Sequence, residues 1–239
     1  MKKTGKVKLV YLLALGLIVS MVGCINVNDA NVPVTDYRSL VKFVNLANTG
    51  SSMAVAVDGN SVATVNYGAA SDTINLPSGT RLFKFTYGSA FDTLRTALKS
   101  QYAYIAYAVS DPSVGVNKAS YYFFADRYIF STGGVKDSVL VSFVNMSPDT
   151  AGNISGGVNF IVTIGTKDST VATGVLLGKQ TANVKVAASA NPKYTITDAN
   201  GSTLTGMDHV SLNGQALGRY KVVLYGSGAN LKTVVLKVN

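Results

Sequence analysis

The chain has 239 residues, among them 21 Lys and Arg, 12 Asp and Glu, one His and one Cys. The single cysteine excludes an intrachain disulfide, and one histidine beside it is too few for a zinc or thiolate metal site. Removing the first 23 residues takes away four lysines, leaving seventeen basic and twelve acidic residues and a net charge of +5. Much of the basic charge therefore belongs to the leader, and nucleic acid is not expected as a partner of an exported chain.

The leader has the layout of an exported lipoprotein. Four lysines precede an uncharged stretch, residues 9–22, which is too short to span a membrane as a helix. Met21-Val22-Gly23-Cys24 follows and resembles a bacterial lipobox. That resemblance implies a signal peptide over 1–23, lipidation of Cys24 and a lipidated tether over 24–38. Ile25 stands where an inner-membrane retention signal would have aspartate, so we expect the lipid anchor to lie in the outer membrane. The alternative is an ordinary signal peptide with an incidental thiol.

One seven-residue segment occurs twice in the chain. Leu40–Leu46 and Leu140–Met146 lie 100 residues apart and agree at five of seven positions. A repeat this long corresponds to one β-sandwich domain rather than to a solenoid unit. We therefore expect two tandem sandwiches, each folded around its own phenylalanine, Phe43 or Phe143. The predicted boundaries are 39–130 for the first repeat, 131–137 for the linker and 138–239 for the second repeat.

Alternating apolar residues separated by glycine and proline turns predict strands at intervals typical of sandwiches rather than of βαβ units. The segment 91–99 is open between a strand and a short helical turn. The predicted strands of the first repeat are 40–46, 53–57, 61–65, 73–76, 81–85, 102–109 and 121–124. Those of the second repeat are 138–146, 158–164, 170–176, 182–186, 194–197, 219–225 and 231–238.

Several short motifs suggest a family. Residues 143–149 read F-V-N-M-S-P-D, and Val57-Asp58-Gly59 is a hairpin signal. Leu76–Gly79 has the composition of a turn, and Leu217–Tyr220 opens a closing strand. Together they resemble the domain of unknown function 4397 family. The resemblance implies two tandem Ig-like, antiparallel β-sandwich domains in a secreted or lipid-anchored protein. It implies no activity.

The remaining candidates for chemistry are few. His209 lies beside Asp208 and two residues from Ser211, which would suit a hydrolase if the three met, although a polar loop is the favoured interpretation. Asp149, Asn153, Asp168 and Asp198 lie in turn-like segments and are the candidates for a calcium site. Turn carboxylates usually bond their own backbone, so we expect no metal site and no cofactor.

A tyrosine-rich strand offers a different kind of site. Tyr102 and Tyr104 share one face, whereas Tyr107 takes the other. Exposed, these rings would form a platform for a glycan or a protein. The favoured alternative is that these tyrosines simply fill a core that has no tryptophan.

These observations predict a non-enzymatic protein of the cell envelope, anchored in the membrane through Cys24. Its two Ig-like domains are expected to act as an interaction or structural module. The alternative is a glycan-binding module that uses Tyr102, Tyr104 and Tyr107. The expected partner is accordingly another envelope protein or a glycan.

Replacement of the single cysteine tests the anchor. Cys24→Ala should abolish the incorporation of a palmitate analogue and leave a chain without acyl mass, because the lipid has no other thiol to bond. Labelling of the living host followed by intact mass measurement checks this, with Ile25→Ala as the matched variant that should keep its label. Retention of label by Cys24→Ala would contradict the prediction.

Overall fold

A computed structural model describes residues 37–49, 51–110, 119–127, 138–148, 154, 156–187, 191–212 and 218–238. Strands dominate this part of the chain. The first sandwich contains β1 Arg38–Leu46, β2 Met53–Val57, β3 Asn60–Val65, β4 Ala69–Ala70, β5 Ile74–Pro77, β6 Gly79–Tyr87, β7 Ala90–Leu98, β8 Tyr102–Ser110 and β9 Ala119–Arg127. The open segment at 91–99 is thus a strand, β7.

The second sandwich repeats that order. Its strands are β10 Ser138–Asn145, β11 Val158–Ile164, β12 Lys167–Val175, β13 Lys179–Gln180, β14 Val184–Ala187, β15 Lys193–Asp198, β16 Val210–Ser211, β17 Arg219–Tyr225 and β18 Lys232–Lys237. A short 3₁₀ turn, Gly228–Asn230, lies between the last two strands. No helix in the described ranges is long and apolar enough to cross a membrane.

The described strands form four sheets, two in each sandwich. We call β4 and β5 with β1-β8-β9 the first inner sheet, and β3-β2-β6-β7 the first outer sheet. The second inner sheet has β13 and β14 with β10-β17-β18, and the second outer sheet is β12-β11-β15-β16. The predicted all-β sandwich class is confirmed. Pairing is antiparallel except for one parallel pair in each inner sheet, β1 with β8 and β10 with β17.

Each repeated phenylalanine is fully buried in the core of its own sandwich. Phe43 lies 6.0 Å and 6.2 Å, between ring centroids, from Phe83 and Phe85 of the first outer sheet. Phe143 stacks on Phe160 of the second outer sheet at 4.7 Å. In both repeats, therefore, this ring joins the inner sheet to the outer one by aromatic packing, which adds to the apolar burial.

A third apolar cluster joins the two sandwiches. The alternate face of each inner sheet carries residues that pack against the other inner sheet: Val44, Leu46, Ile105, Tyr107, Val109, Val144, Met146, Val223, Tyr225 and Leu236. The central strands are consequently buried on both faces, which antiparallel sheets seldom require and which explains their nearly continuous apolar sequences. The layers run first outer, first inner, second inner, second outer.

Two lysines accompany this cluster. Lys221 is 2% exposed, and its Nζ donates to Gln180 Oε1 at 2.8 Å. Lys42 Nζ reaches across the sandwiches to the backbone oxygen of Lys237, also at 2.8 Å. Burial lowers the pKa of Lys42, against the opposing effect of Asp72. The interface thus contains specific polar contacts as well as apolar packing.

A buried asparagine bridges the two sheets of each sandwich. Asn45 Nδ2 donates to the backbone oxygen of Val65 at 3.0 Å, and its Oδ1 accepts from the N–H of Ala47 at 3.1 Å. Asn145 does the same with Val175 at 2.8 Å and Ser147 at 3.0 Å. Both side chains are at most 1% exposed. The strand that carries each asparagine is therefore fixed to the end of an outer-sheet strand by a hydrogen bond as well as by packing.

Several predictions concern residues outside the described ranges. These are the signal peptide over 1–23, Cys24 and most of the tether over 24–38, and the linker over 131–137. Within the tether only Tyr37 and Arg38 are described, and Arg38 begins β1.

Removal of an asparagine bridge should destabilise the fold. In Asn145→Ala, a buried carbonyl and a buried N–H both lose their partner, and each such loss costs about 1–3 kcal/mol. We expect the free energy of unfolding in denaturant to fall by about 2–4 kcal/mol, with Asn66→Ala, an exposed asparagine, changing it by less than about 0.5 kcal/mol. Equal effects of the two variants would show that the bridge is not important.

A glycine at the contact between the sandwiches provides a second test. Gly178 has φ +72, and an added Cβ would overlap the Tyr122 ring of the first sandwich. Gly165 has φ +63 and open space around it, so Gly165→Ala carries the same backbone cost without the overlap. Gly178→Ala should therefore be less stable than Gly165→Ala by about 1–3 kcal/mol in thermal or denaturant unfolding. No difference between them would mean that the two sandwiches are not packed as described.

Candidate functional site

The tyrosine platform that the sequence offered is not an exposed surface. Tyr104 is 7% exposed in the core of the first sandwich, where its hydroxyl oxygen accepts from the N–H of Lys99 at 2.7 Å. Tyr107 is fully buried in the cluster between the sandwiches. The alternation of the two rings was predicted correctly, but both faces of β8 are covered. The glycan platform is therefore wrong for Tyr104 and Tyr107.

Tyr102 alone of the three keeps partial exposure. The centroid of the Tyr102 ring lies 6.4 Å from that of Tyr104 and 5.9 Å from the Lys99 ammonium. Stacking on a sugar requires an accessible ring face, and Tyr102 shares its surroundings with these two residues. One partly covered ring does not make a platform.

Two further tyrosines form a polar cluster at the lateral margin of the first sandwich. Tyr121 stacks on Phe85 at 4.2 Å, and its hydroxyl donates to Asp92 Oδ2 at 3.4 Å. The Tyr87 hydroxyl contacts Met53 Sδ at 3.1 Å. Burial raises the pKa of Tyr87 and of Tyr121 far above the usual value for tyrosine. Both rings belong to the packed core of the first sandwich.

The histidine that was considered for hydrolysis lies in an exposed turn. His209 Nδ1 is 2.6 Å from Asp208 Oδ1, and the two side chains are 47% and 65% exposed. Strand β16 begins only at Val210, and His209 has φ 47. This left-handed backbone takes His209 out of the extended alternation that would have placed it on the same face as Ser211. The geometry fits the favoured interpretation, a polar loop.

The described calcium candidates bond locally. Asp168 Oδ1 accepts from Thr163 Oγ1 at 2.7 Å. Asp198 Oδ1 accepts from the N–H groups of Asn200 at 2.9 Å and Ser202 at 2.8 Å, which is an Asx turn. Asp149 and Asn153 are outside the described residues. Within the described ranges, no group of three His, Cys, Asp or Glu side chains is placed to hold a metal ion.

The surface with the most distinctive exposed chemistry is the outward face of β6 and β7. We name it the β6–β7 face and define it by Leu82, Lys84, Phe91 and Arg95. Leu82 pairs with Arg95 across the strands, and Phe91 pairs with Thr86, two positions beyond Lys84. Phe91 is 60% exposed and Leu82 is 39% exposed. Because Phe83, Phe85 and Tyr87 occupy the inward positions of β6, the intervening positions must face solvent.

The charges of this face are positive. The Lys84 ammonium lies 4.4 Å from the centroid of the Phe91 ring, a cation–π contact. At the border, Asp58 pairs with Arg81 at 3.0 Å, and its Oδ1 accepts from the N–H of Leu82 at 2.9 Å. The Leu82 hydrogen bond and the Arg81 contacts lower the pKa of the Asp58 carboxyl. This carboxyl therefore already has its partners within the border of the face.

The face was not singled out by sequence reasoning. The signal was present, since alternation in β6 assigns Leu82 and Lys84 to the side opposite the aromatic core residues. Phe91, however, belonged to the segment left open between strand and helix. The exposure of Phe91 depends on which face of β7 packs against the rest of the sandwich.

Comparison with known proteins gives distant structural likenesses only. No protein-family model and no curated protein matches the chain. A crystal structure from Bacteroides uniformis named "putative cell adhesion protein" is similar at 13% identity and TM-score 0.30, covering 85% of this chain and 98% of its own. A Bacteroides ovatus structure named "putative adhesin" is similar at 10% identity and TM-score 0.25, covering 84% and 95%. Likeness at this level carries no argument about function, and the 4397-family resemblance stays a prediction.

Proposed function

We propose that the protein is a lipid-anchored, non-enzymatic interaction module of the cell envelope, which docks an acidic protein partner on the β6–β7 face. The observation that carries the proposal is the exposure of Phe91 and Leu82 beside two cations. The two acidic residues beside the face already have partners within the chain. Asp58 pairs with Arg81, and Asp92 accepts a hydrogen bond from Tyr121. Complementary charge would therefore have to come from the partner.

The shape of the face favours a protein over a small ligand. Ala54 and Ala56 occupy the neighbouring outward positions of β2, opposite Thr86 and Lys84, so the surface beside β6 carries short side chains. Small ligands prefer concave sites, whereas flat surfaces with arginine and aromatic anchors are typical of protein interfaces. The second sandwich would serve as a spacer that is packed rigidly against the first.

The anchor is supported by the leader and by the single cysteine. A lysine-rich start, an uncharged stretch and a lone thiol after a small residue are the arrangement expected for lipidation. Several acyl chains would give stable attachment, because each buried CH₂ contributes about 0.8 kcal/mol. Outer-membrane location belongs to the same proposal.

Photo-crosslinking on intact cells tests the docking face. A photoreactive amino acid at position 91 should give a discrete adduct with one protein, and the same amino acid at position 176, where Leu176 is 50% exposed on the second sandwich, should not. Arg95→Glu should reduce the yield of that adduct at least about tenfold because it reverses a charge that the partner complements. Lys167→Glu, a matched reversal on the second outer sheet, should leave it unchanged.

Two results would overturn the docking proposal. One is equal adduct formation at positions 91 and 176, or an adduct yield that Arg95→Glu leaves unchanged. The other is binding of the purified protein to anionic vesicles or to a sulfated polysaccharide with the same dependence on Arg95, which would make the face a lipid or glycan site.

A further inference from the structure

A cavity of about 210 Å³ opens in the second sandwich, away from the β6–β7 face. It lies between the turn that follows β15 and the 3₁₀ turn before β18. The residues that line it are Asp198, Ser202, Thr203, Leu204, Thr205, Gly228, Ala229 and Leu231. The space holds several water molecules, which is enough for one small polar ligand.

The turn after β15 is held rigidly. Asp198 N–H donates to the backbone oxygen of Ser202 at 2.9 Å, and Leu204 N–H donates to the backbone oxygen of Ile196 at 2.9 Å. Thr197 and Thr203 form a further β-bridge. The backbone that carries Ser202, Thr203 and Leu204 is thus positioned before any ligand arrives, which reduces the entropy lost on binding.

Asp198 is the unusual member of the lining. It is 1% exposed, and the hydrogen bonds that its carboxylate accepts from the described residues both end on Oδ1. Among the described residues, no cation forms an ion pair with it. Because both of these bonds end on Oδ1, the lone pairs of Oδ2 remain for other donors. A ligand that donates hydrogen bonds would supply what the turn does not.

We propose that this cavity binds one pyranose sugar unit. Asp198 would accept from sugar hydroxyls through Oδ2. Ser202, Thr203 and Thr205 offer hydroxyls that both donate and accept, and Leu204 and Leu231 offer apolar contact for the C–H face of the ring. A metal ion suits the site less well, because calcium takes six to eight oxygen ligands and Asp198 is the single carboxylate in the lining.

The proposal is independent of the β6–β7 face, since the two sites share no residue. It also differs from the overturned tyrosine platform, because it needs no aromatic ring. Recognition rests on a buried acceptor, whose loss should weaken binding strongly if the ligand is an uncharged hydrogen-bond donor.

Amide chemical-shift mapping of the full mature chain tests the site, with methyl glycosides of glucose, galactose, mannose, fucose and N-acetylglucosamine as probes. At least one glycoside should shift the N–H signals of Ser202, Leu204 and Ala229 in a saturable way. Asp198→Asn should weaken that binding at least about tenfold, because asparagine keeps the Asx turn through Oδ1 and replaces the second acceptor with a donor. Asp168→Asn changes a carboxylate of β12 that accepts from Thr163, and as the matched control it should not change binding.

Three outcomes would overturn the proposal. No saturable shift at the lining residues with any probe would remove the sugar site, as would shifts that Asp198→Asn leaves unaltered. Saturable shifts of the same signals by calcium chloride or methylammonium, without any by the glycosides, would make the cavity a cation site instead. Unchanged signals elsewhere in Asp198→Asn would show that the variant remains folded.

Discussion

The hydrogen bond from a buried asparagine to the far sheet is the constraint on which each sandwich depends. In the first repeat, Phe43 fills the core, Val44 faces the other sandwich and Asn45 bridges to Val65. Three consecutive positions thus supply an aromatic anchor, an interface contact and a polar cross-link. A buried amide fixes the strand in one register, because a slip by one residue would leave it unpaired and would exchange the two apolar faces. This explains why F-V-N is the core of the repeated segment.

The second organising feature is the contact between the two inner sheets. Each inner sheet needs apolar residues on both faces, and the partner that covers the second face is the other repeat. The contact is approximately symmetric, since Gly68 approaches Tyr225 and Gly178 approaches Tyr122. The two faces have nevertheless diverged: the first supplies Tyr107, Tyr122 and Phe124, whereas the second supplies one tyrosine, Tyr225, together with aliphatic residues and Lys221. A duplicated unit has become one half of a four-layered structure.

This arrangement determines where binding can occur. With the inner sheets covered, the outward faces of the outer sheets and the turns at the ends of the sandwiches are available for partners. The β6–β7 face supplies cations and an exposed aromatic ring on a flat surface, and the cavity beside Asp198 supplies a buried acceptor in a concave one. Flat and concave sites suit ligands of different size. The two proposed sites can therefore operate separately.

The sequence by itself determined the all-β class, the duplication and most of the strands, because alternation, glycine turns and a repeated motif are local signals. It also placed Tyr104 and Tyr107 on opposite faces of β8. Only the tertiary structure decided that both faces are covered, since the cluster around Tyr107 includes Val144 and Val223 of the other repeat, more than thirty positions away. The parallel pairing of β1 with β8 and the bridging role of Asn45 likewise depend on partners distant in the chain. Local pattern specifies which face a side chain takes, whereas what that face meets is set by packing between distant segments.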